Sequence, residues 1–290
     1  MNCKIALGTV QFGLAYGIAN KAGQVESTEV GAILNLANNL HLDTLDTAIA
    51  YGESEAVLGS LGVNEWNIIS KLSALPAGIV DVNRWVETEV HESCQRLKVN
   101  RLHGLLLHRP AQLTGPRGQE IQNALSHLKK SGLVDKIGIS VYEPAELDQL
   151  FGMMQIDIVQ APFSIIDRRL IESGWIKRLQ NEGCELHVRS IFLQGLLLMN
   201  AEQRPSQFNR WRSLWSRWDA WLKETGLTPL EACLRYALSV EGIAKVVLGV
   251  ESAVQLKEIS MAASGGLPPI PDSFSLCDEE LLNPALWVNK

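Results

Sequence analysis

The chain has few cysteines and no arrangement that would pair them. Cys3, Cys94, Cys184, Cys233 and Cys277 are odd in number, widely scattered and without a C-x-x-C pair. That pattern excludes a disulfide framework and a zinc knuckle, and it suits a reducing compartment. No apolar stretch approaches the ~20 residues of a membrane span, and Met1–Gly8 enters a strand-like run with no signal-peptide core. Lys and Arg form no block, and the net charge of −6 is spread along the 290 residues. Nucleic acid and anionic membrane are therefore not expected partners. With 46 % apolar and 20 % charged residues, the composition excludes extended disorder. The expectation is a cytoplasmic globular protein.

A glycine-rich dinucleotide loop is also missing. The first apolar run is followed by Gly8-Thr-Val-Gln-Phe-Gly13, which lacks the G-x-G-x-x-G spacing of a doubly wound open sheet. Present instead are eight short apolar, often β-branched runs: Ile5–Gly8, Thr44–Thr47, Asn67–Lys71, Gly104–His108, Lys136–Ser140, Asp157–Gln160, Glu185–Arg189 and Lys245–Gly249. Several are apolar at consecutive positions, as parallel strands buried on both faces are. Helix-period segments fill the gaps, among them 28–39 behind Ser27, 83–97 and 119–130. Strand–helix alternation repeated eight times predicts one (β/α)8 TIM barrel spanning residues 1–290. Two stretches fall outside the repeat. A Trp-rich insertion near 203–226 places Trp211, Trp215, Trp218 and Leu222 on one helix stripe, and a loop-rich tail covers 264–290. The stripe is expected to pack on the barrel, and the tail either under the barrel or over its mouth.

Four polar residues sit where successive strands should end: Asp46 and Tyr51 at the second, Lys71 at the third and His108 at the fourth. In a (β/α)8 barrel, such positions converge on one pocket. A free phenol has a pKa near ~10, and a neighbouring ammonium favours its ionised form. A buried lysine needs a counter-charge, which Asp46 supplies. An imidazole N–H can polarise a carbonyl oxygen. The set lacks only a reductant, which a nicotinamide cofactor would supply.

These residues carry a resemblance to the aldo-keto reductase superfamily. The likeness runs through Leu7-Gly-Thr-Val-Gln-Phe-Gly13, Asp46-Thr-Ala-Ile-Ala-Tyr-Gly-Glu-Ser-Glu55, Ser70-Lys71, Leu106-Leu-His-Arg-Pro110 and Lys136-Ile-Gly-Ile-Ser140. It continues in Gln160-Ala-Pro-Phe-Ser164, Gln194-Gly-Leu-Leu197 and Gly249-Val-Glu-Ser252. The resemblance implies metal-free, NADP(H)- or NAD(H)-dependent reduction of an aldehyde or ketone, or the reverse. Tyr51 would be the general acid, Lys71 and Asp46 would tune it, and His108 would polarise the carbonyl. It further implies that Ser140 and Gln160 hold the nicotinamide carboxamide, and that Gln194 and Gly195 run along the pyrophosphate. Gly249 and Ser252 would meet a phosphate at a helix N-terminus. Three positions depart from the family pattern. Val141 replaces a common Asn, Arg189 stands where an aromatic ring often stacks on the nicotinamide, and Glu251 and Gln255 stand where basic residues usually receive a 2′-phosphate. Arginine is planar and can stack, whereas a carboxylate repels a phosphate and accepts hydrogen bonds from ribose hydroxyls.

Two other functions use the same residues. Lys71 at a barrel strand end could serve a non-redox lyase as a Schiff-base amine, or the barrel could bind cofactor as a regulatory or interaction subunit with little turnover. Phe12, Tyr16, Phe163 and the tryptophans are the candidate pocket wall. Polar residues in the 11–24 loop point to a sugar-derived carbonyl. Arg109 could draw an anionic substrate group or form a surface salt bridge. His41, His91, His103, His127 and His187 are read as surface or packing residues, since no two have metal-ligand spacing on a helix face.

Overall fold

The computed structural model describes residues 4–20 and 23–287, so Cys3, the middle of the first loop and the last three tail residues lie outside the described part. Eight parallel strands close into a barrel in sequence order. They are β1 (Ile5–Gly8), β2 (Thr44–Asp46), β3 (Asn67–Leu72), β4 (Leu102–Leu107), β5 (Val134–Ser140), β6 (Ile158–Pro162), β7 (Glu185–Arg189) and β8 (Ile243–Gly249). Closure is made by β1 on β8, with Ile5 opposite Val246 and Gly8 opposite Gly249. All eight sequence-predicted runs are strands, with ends displaced by up to two residues.

The helices begin and stop where local chemistry dictates. The helix Val82–Leu97 starts at Asp81, whose carboxylate accepts the Arg84 N–H at 3.0 Å. The helix Gly118–Ser131 ends at Gly132, which turns left-handed at φ 77°. The helix Pro229–Ser239 opens with a reciprocal capping box between Thr228 and Glu231. One expected cap differs: Ser27 is the first helical residue, and the preceding Glu26 caps with no side-chain bond.

Apolar side chains fill two regions. Ile69, Leu106 and Ile158 pack inside the barrel, while the larger core lies between the strands and the helices. Gly104 keeps the interior layer possible, because a Cβ there would lie 2.7 Å from Ile69 Cδ1 and 3.0 Å from Ile158 Cδ1.

The Trp-rich helix spans Arg212–Thr225, and its buried stripe is Leu214, Trp215, Trp218 and Trp221. Trp211 precedes it in a 3-10 turn and Leu222 is only partly buried, so the expected stripe is rotated toward Trp221. The rotation follows from the tail. Phe274 meets both Trp218 and Trp221 edge-on at 5.7 Å, and the Trp221 indole donates to the Pro269 carbonyl. The tail reaches the loop after β6 through Leu276 N–H to Ile166 O at 3.0 Å. It therefore packs on the outer helix layer, and none of its described residues lines the central cavity.

The loop after β1 is pressed against the turn that carries Tyr51. A Cβ on Gly13 would lie 1.9 Å from Tyr51 O and 2.4 Å from Ser54 N. Both obstacles are backbone and cannot swing aside. Gly13→Ala is therefore expected to destabilise the protein by about 1–3 kcal/mol, the usual cost of overpacking, measured as a lower urea midpoint at unchanged m-value.

Candidate active site

Strand ends bring the four predicted residues to one cavity of about 550 Å³ at the C-terminal mouth, which Asp46, Tyr51, Lys71 and His108 all line. Lys71 is 1 % exposed and donates to Asp46 Oδ1 at 2.5 Å and to the Thr47 carbonyl at 2.9 Å. Burial opposes the lysine charge, but Asp46 and Tyr51 outweigh it and hold the pKa above the ordinary lysine value. The second oxygen of Asp46 accepts from Gln160 Nε2 at 2.6 Å. One carboxylate thus ties β2 to β3 and, across the barrel, to β6.

Lys71 Nζ sits 5.1 Å from the centre of the Tyr51 ring, and the Tyr51 and His108 rings meet edge-on at 5.9 Å. Burial, reinforced by Lys71, Arg109 and Arg189, pushes the His108 imidazole down to about 4. It is neutral at physiological pH and keeps one N–H to donate. The turn presenting Tyr51 is fixed by buried hydroxyls. Ser54 Oγ lies 2.9 Å from both Thr9 O and Thr9 Oγ1, and Thr9 Oγ1 donates to the Asp46 carbonyl at 3.1 Å. The outer face of β3 is fixed as firmly: Ser70, Ser93 and Arg96 all donate to the buried Glu55 carboxylate.

The rest of the cavity wall comes from β5, β6, β7, β8 and the loops after β1, β5, β7 and β8. Ser140, Gln160, Arg189, Gln194, Gly195, Gly249, Glu251 and Gln255 all line it. Ser252 does not. Its hydroxyl caps the helix Ala253–Ala262 by accepting the Gln255 N–H at 3.2 Å. Phe12 and Phe163 are also absent from the wall: Phe12 is buried in the core, and Phe163 stacks on Tyr236 at 5.4 Å. No tryptophan lines the cavity among the described residues, whereas Tyr16 does.

Sequence reasoning missed Tyr142 and Gln11. Tyr142 lies beneath the guanidinium of Arg189, at 4.8 Å, and near that of Arg109, at 5.7 Å. Arg109 is thus a rim cation held over a ring. Gln11 is half-buried in the wall, and its Oε1 has no hydrogen-bond partner within the protein. Its place in the loop directly after β1 was the one available signal, since every barrel strand end faces the mouth.

Comparison with known proteins gives the family. The model of the Aldo/keto reductase family matches residues 4–273. The chain belongs to that family. The aldo-keto reductase chain is 25 % identical over 288 residues to an uncharacterized oxidoreductase of Bacillus subtilis, YqkF, covering 90 % of this chain and 91 % of that one. It is also 25 % identical over 264 residues to a D-arabinose 1-dehydrogenase of Saccharomyces cerevisiae, covering 80 % and 76 %. In fold it is similar to the aldo-keto reductase AKR11C1 of Bacillus halodurans in its holo form, with TM-score 0.73, 21 % identity and coverage of 92 % and 88 %. Family and relatives make this aldo-keto reductase an oxidoreductase. Its Lys71, held as an ammonium by Asp46, is a poor amine for Schiff-base chemistry.

Two outcomes test the electrostatics of this site. The folded His108 has a lowered pKa, so between about pH 6.5 and about 4 the unfolded chain binds a proton that the folded chain refuses. Native stability should therefore fall as pH drops through that window, and the slope should shrink in His108→Gln. Asp46→Ala, which strands a buried ammonium, should cost about 3–5 kcal/mol in urea unfolding. A loss below 1 kcal/mol would show that Lys71 is not held as a cation.

Proposed function

We propose that this protein transfers hydride between a nicotinamide cofactor and a carbonyl carbon, reducing an aldehyde or ketone to an alcohol or running the reverse oxidation. The observation that carries this reading is the chain Gln160–Asp46–Lys71, which fixes an ammonium beside Tyr51 while His108 stands neutral against the same ring. A bound dihydronicotinamide supplies the hydride. Tyr51 gives its proton to the carbonyl oxygen, and Lys71 stabilises the phenolate left behind. His108 offers an N–H to the same oxygen and orients the carbonyl. In the reverse direction Tyr51 acts as the base.

The residues present fit such a cofactor. Ser140 Oγ and Gln160 Oε1 lie 3.5 Å apart on adjacent strands, and both are buried and face the cavity. Gln11 Oε1 is a buried acceptor waiting for a donor from a ligand. Arg189 is anchored by a 2.9 Å bond to the Val141 carbonyl and offers a flat surface in place of an aromatic ring. The loop after β7 crosses toward the loop after β1, where Gln194 Nε2 donates to the Tyr16 hydroxyl at 3.1 Å.

Tyr16, Asn20, Tyr142 and Gln194 give the wall hydroxyl and amide groups, which suit a polyhydroxylated substrate. The similarity to a protein named for D-arabinose oxidation supports the same class. Tyr51→Phe should lower kcat for carbonyl reduction by about 10²–10⁴-fold, the usual contribution of a general acid. Nucleotide affinity, read by quenching of tryptophan fluorescence, should stay near the wild-type value. Turnover that survives in Tyr51→Phe would remove Tyr51 from the mechanism.

A further inference from the structure

The cavity carries opposite charge at its two ends. Among the described residues its cations are Lys71 and Arg189, both beside the tyrosines where the carbonyl chemistry is placed. The wall that follows β8 carries Glu251, Gln255 and Glu258 and no cation among the described residues. Other described basic groups of that region are committed elsewhere or face away. Arg235 is bonded to Glu231 and to the Ala262 and Gly266 carbonyls, and Lys245 pairs with Asp43 at 2.6 Å. Lys257 is exposed and does not line the cavity.

Three backbone donors at this end are also committed. The Glu251 N–H goes to Gln255 Oε1 at 2.8 Å and the Gln255 N–H to Ser252 Oγ at 3.2 Å. The Ala253 N–H, the first of the helix Ala253–Ala262, goes to Glu29 Oε1 at 2.7 Å. Glu29 belongs to the neighbouring helix Ser27–Asn39. A carboxylate of the protein thus occupies the helix N-terminus that would otherwise receive an anion.

We propose that the enzyme selects NADH over NADPH, with Glu251 and Glu258 on the cavity wall and Glu29 at the helix N-terminus as the selecting carboxylates. The inference rests on the nicotinamide reading above. With the reacting end of the cofactor fixed beside Tyr51, the far end of the same cavity receives the adenosine. A 2′-phosphate there would meet carboxylates and, among the described residues, no cation, and it would find three of the backbone donors already taken. Free ribose hydroxyls would instead donate to the carboxylates.

The test is a binding titration of NADH and NADPH, read by tryptophan quenching, on wild type, Glu251→Arg and Glu29→Gln. Wild type should bind NADH at least about 10-fold tighter than NADPH, or about 1.4 kcal/mol. Glu251→Arg should narrow or invert that ratio by tightening NADPH. Glu29→Gln, which keeps an acceptor for the Ala253 N–H but removes the charge, should tighten NADPH by about threefold. Wild type binding NADPH as tightly as NADH, or a ratio unmoved by Glu251→Arg, overturns the selection and leaves the nicotinamide reading standing. Failure of both nucleotides to bind overturns both. Preferential NADH binding without turnover on any carbonyl supports the selection and counts against the catalytic reading alone.

Discussion

A lysine with 1 % of its surface exposed cannot keep its charge without a partner, and the site is organised around that requirement. Asp46 meets it with one oxygen and spends the other on Gln160, while the Thr47 carbonyl takes a further lysine proton. Replacing such a pair by apolar residues is often neutral or stabilising for a fold. In the proposed reaction the pair has a use, because it holds an ammonium 5.1 Å from the centre of the Tyr51 ring. The supporting structure follows from the same need. Successive residues of β3 point to opposite faces, so Lys71 turns into the barrel while Ser70 turns outward to the buried Glu55. Glu55 is itself held by Ser93 and Arg96. The strand that carries Lys71 is therefore pinned from both sides by buried carboxylates.

The cation has a second consequence at His108. With Lys71, Arg109 and Arg189 nearby and the ring partly desolvated, protonation is disfavoured and the imidazole remains a neutral donor. In the proposed reaction, a second full positive charge beside Tyr51 would compete with Lys71 for the phenolate. The positive end of the cavity is thus balanced by keeping one potential cation neutral, whereas the negative end after β8 gathers Glu251 and Glu258 with no cation among the described residues. On the proposed reading, that asymmetry would give a dinucleotide a direction in the cavity.

Much of this was legible in the sequence because strand ends in a closed parallel barrel have only one place to go. Consecutive apolar positions gave away the strands, and polar residues at their ends, such as Asp46, Lys71 and His108, had no role in a core. What escaped were features set by partners distant in sequence. The bond from Ala253 to Glu29 spans 224 positions and has no local signature. Ser252 reads as a phosphate contact in the sequence, but its hydroxyl caps the helix by accepting the Gln255 N–H. The Trp-rich helix shows the same limit. Its periodicity admits several stripes, and Phe274 from the tail decides that Trp221 is buried in place of Leu222. Tyr142 was missed because its role depends on Arg189, which reaches it from β7.

The division of labour between strands and loops follows from rigidity. The groups that need fixed distances, Asp46, Lys71, Ser140 and Gln160, all sit within strands or at their last residue. The groups that face the variable parts of a ligand sit on loops. Of these, the loop after β7 is the most constrained: Ser190, Leu193 and Gln194 have φ of 64°, 50° and 52°, left-handed values that cost a non-glycine residue of the order of 1 kcal/mol each. Such a backbone persists only when its surroundings over-determine it. Here the means are visible, since Leu193 is buried in the core and Gln194 is bonded to Tyr16 across the mouth. The strain is retained because it carries Gln194 and Gly195 over the cavity. Gly195, at φ 91°, can lie against Ala19 only without a side chain, since a Cβ would come within 2.5 Å of the Ala19 Cβ. The bridge between the first and seventh loops therefore depends on a glycine at one contact and a tyrosine at the other, and it ties the two walls between which a dinucleotide would lie.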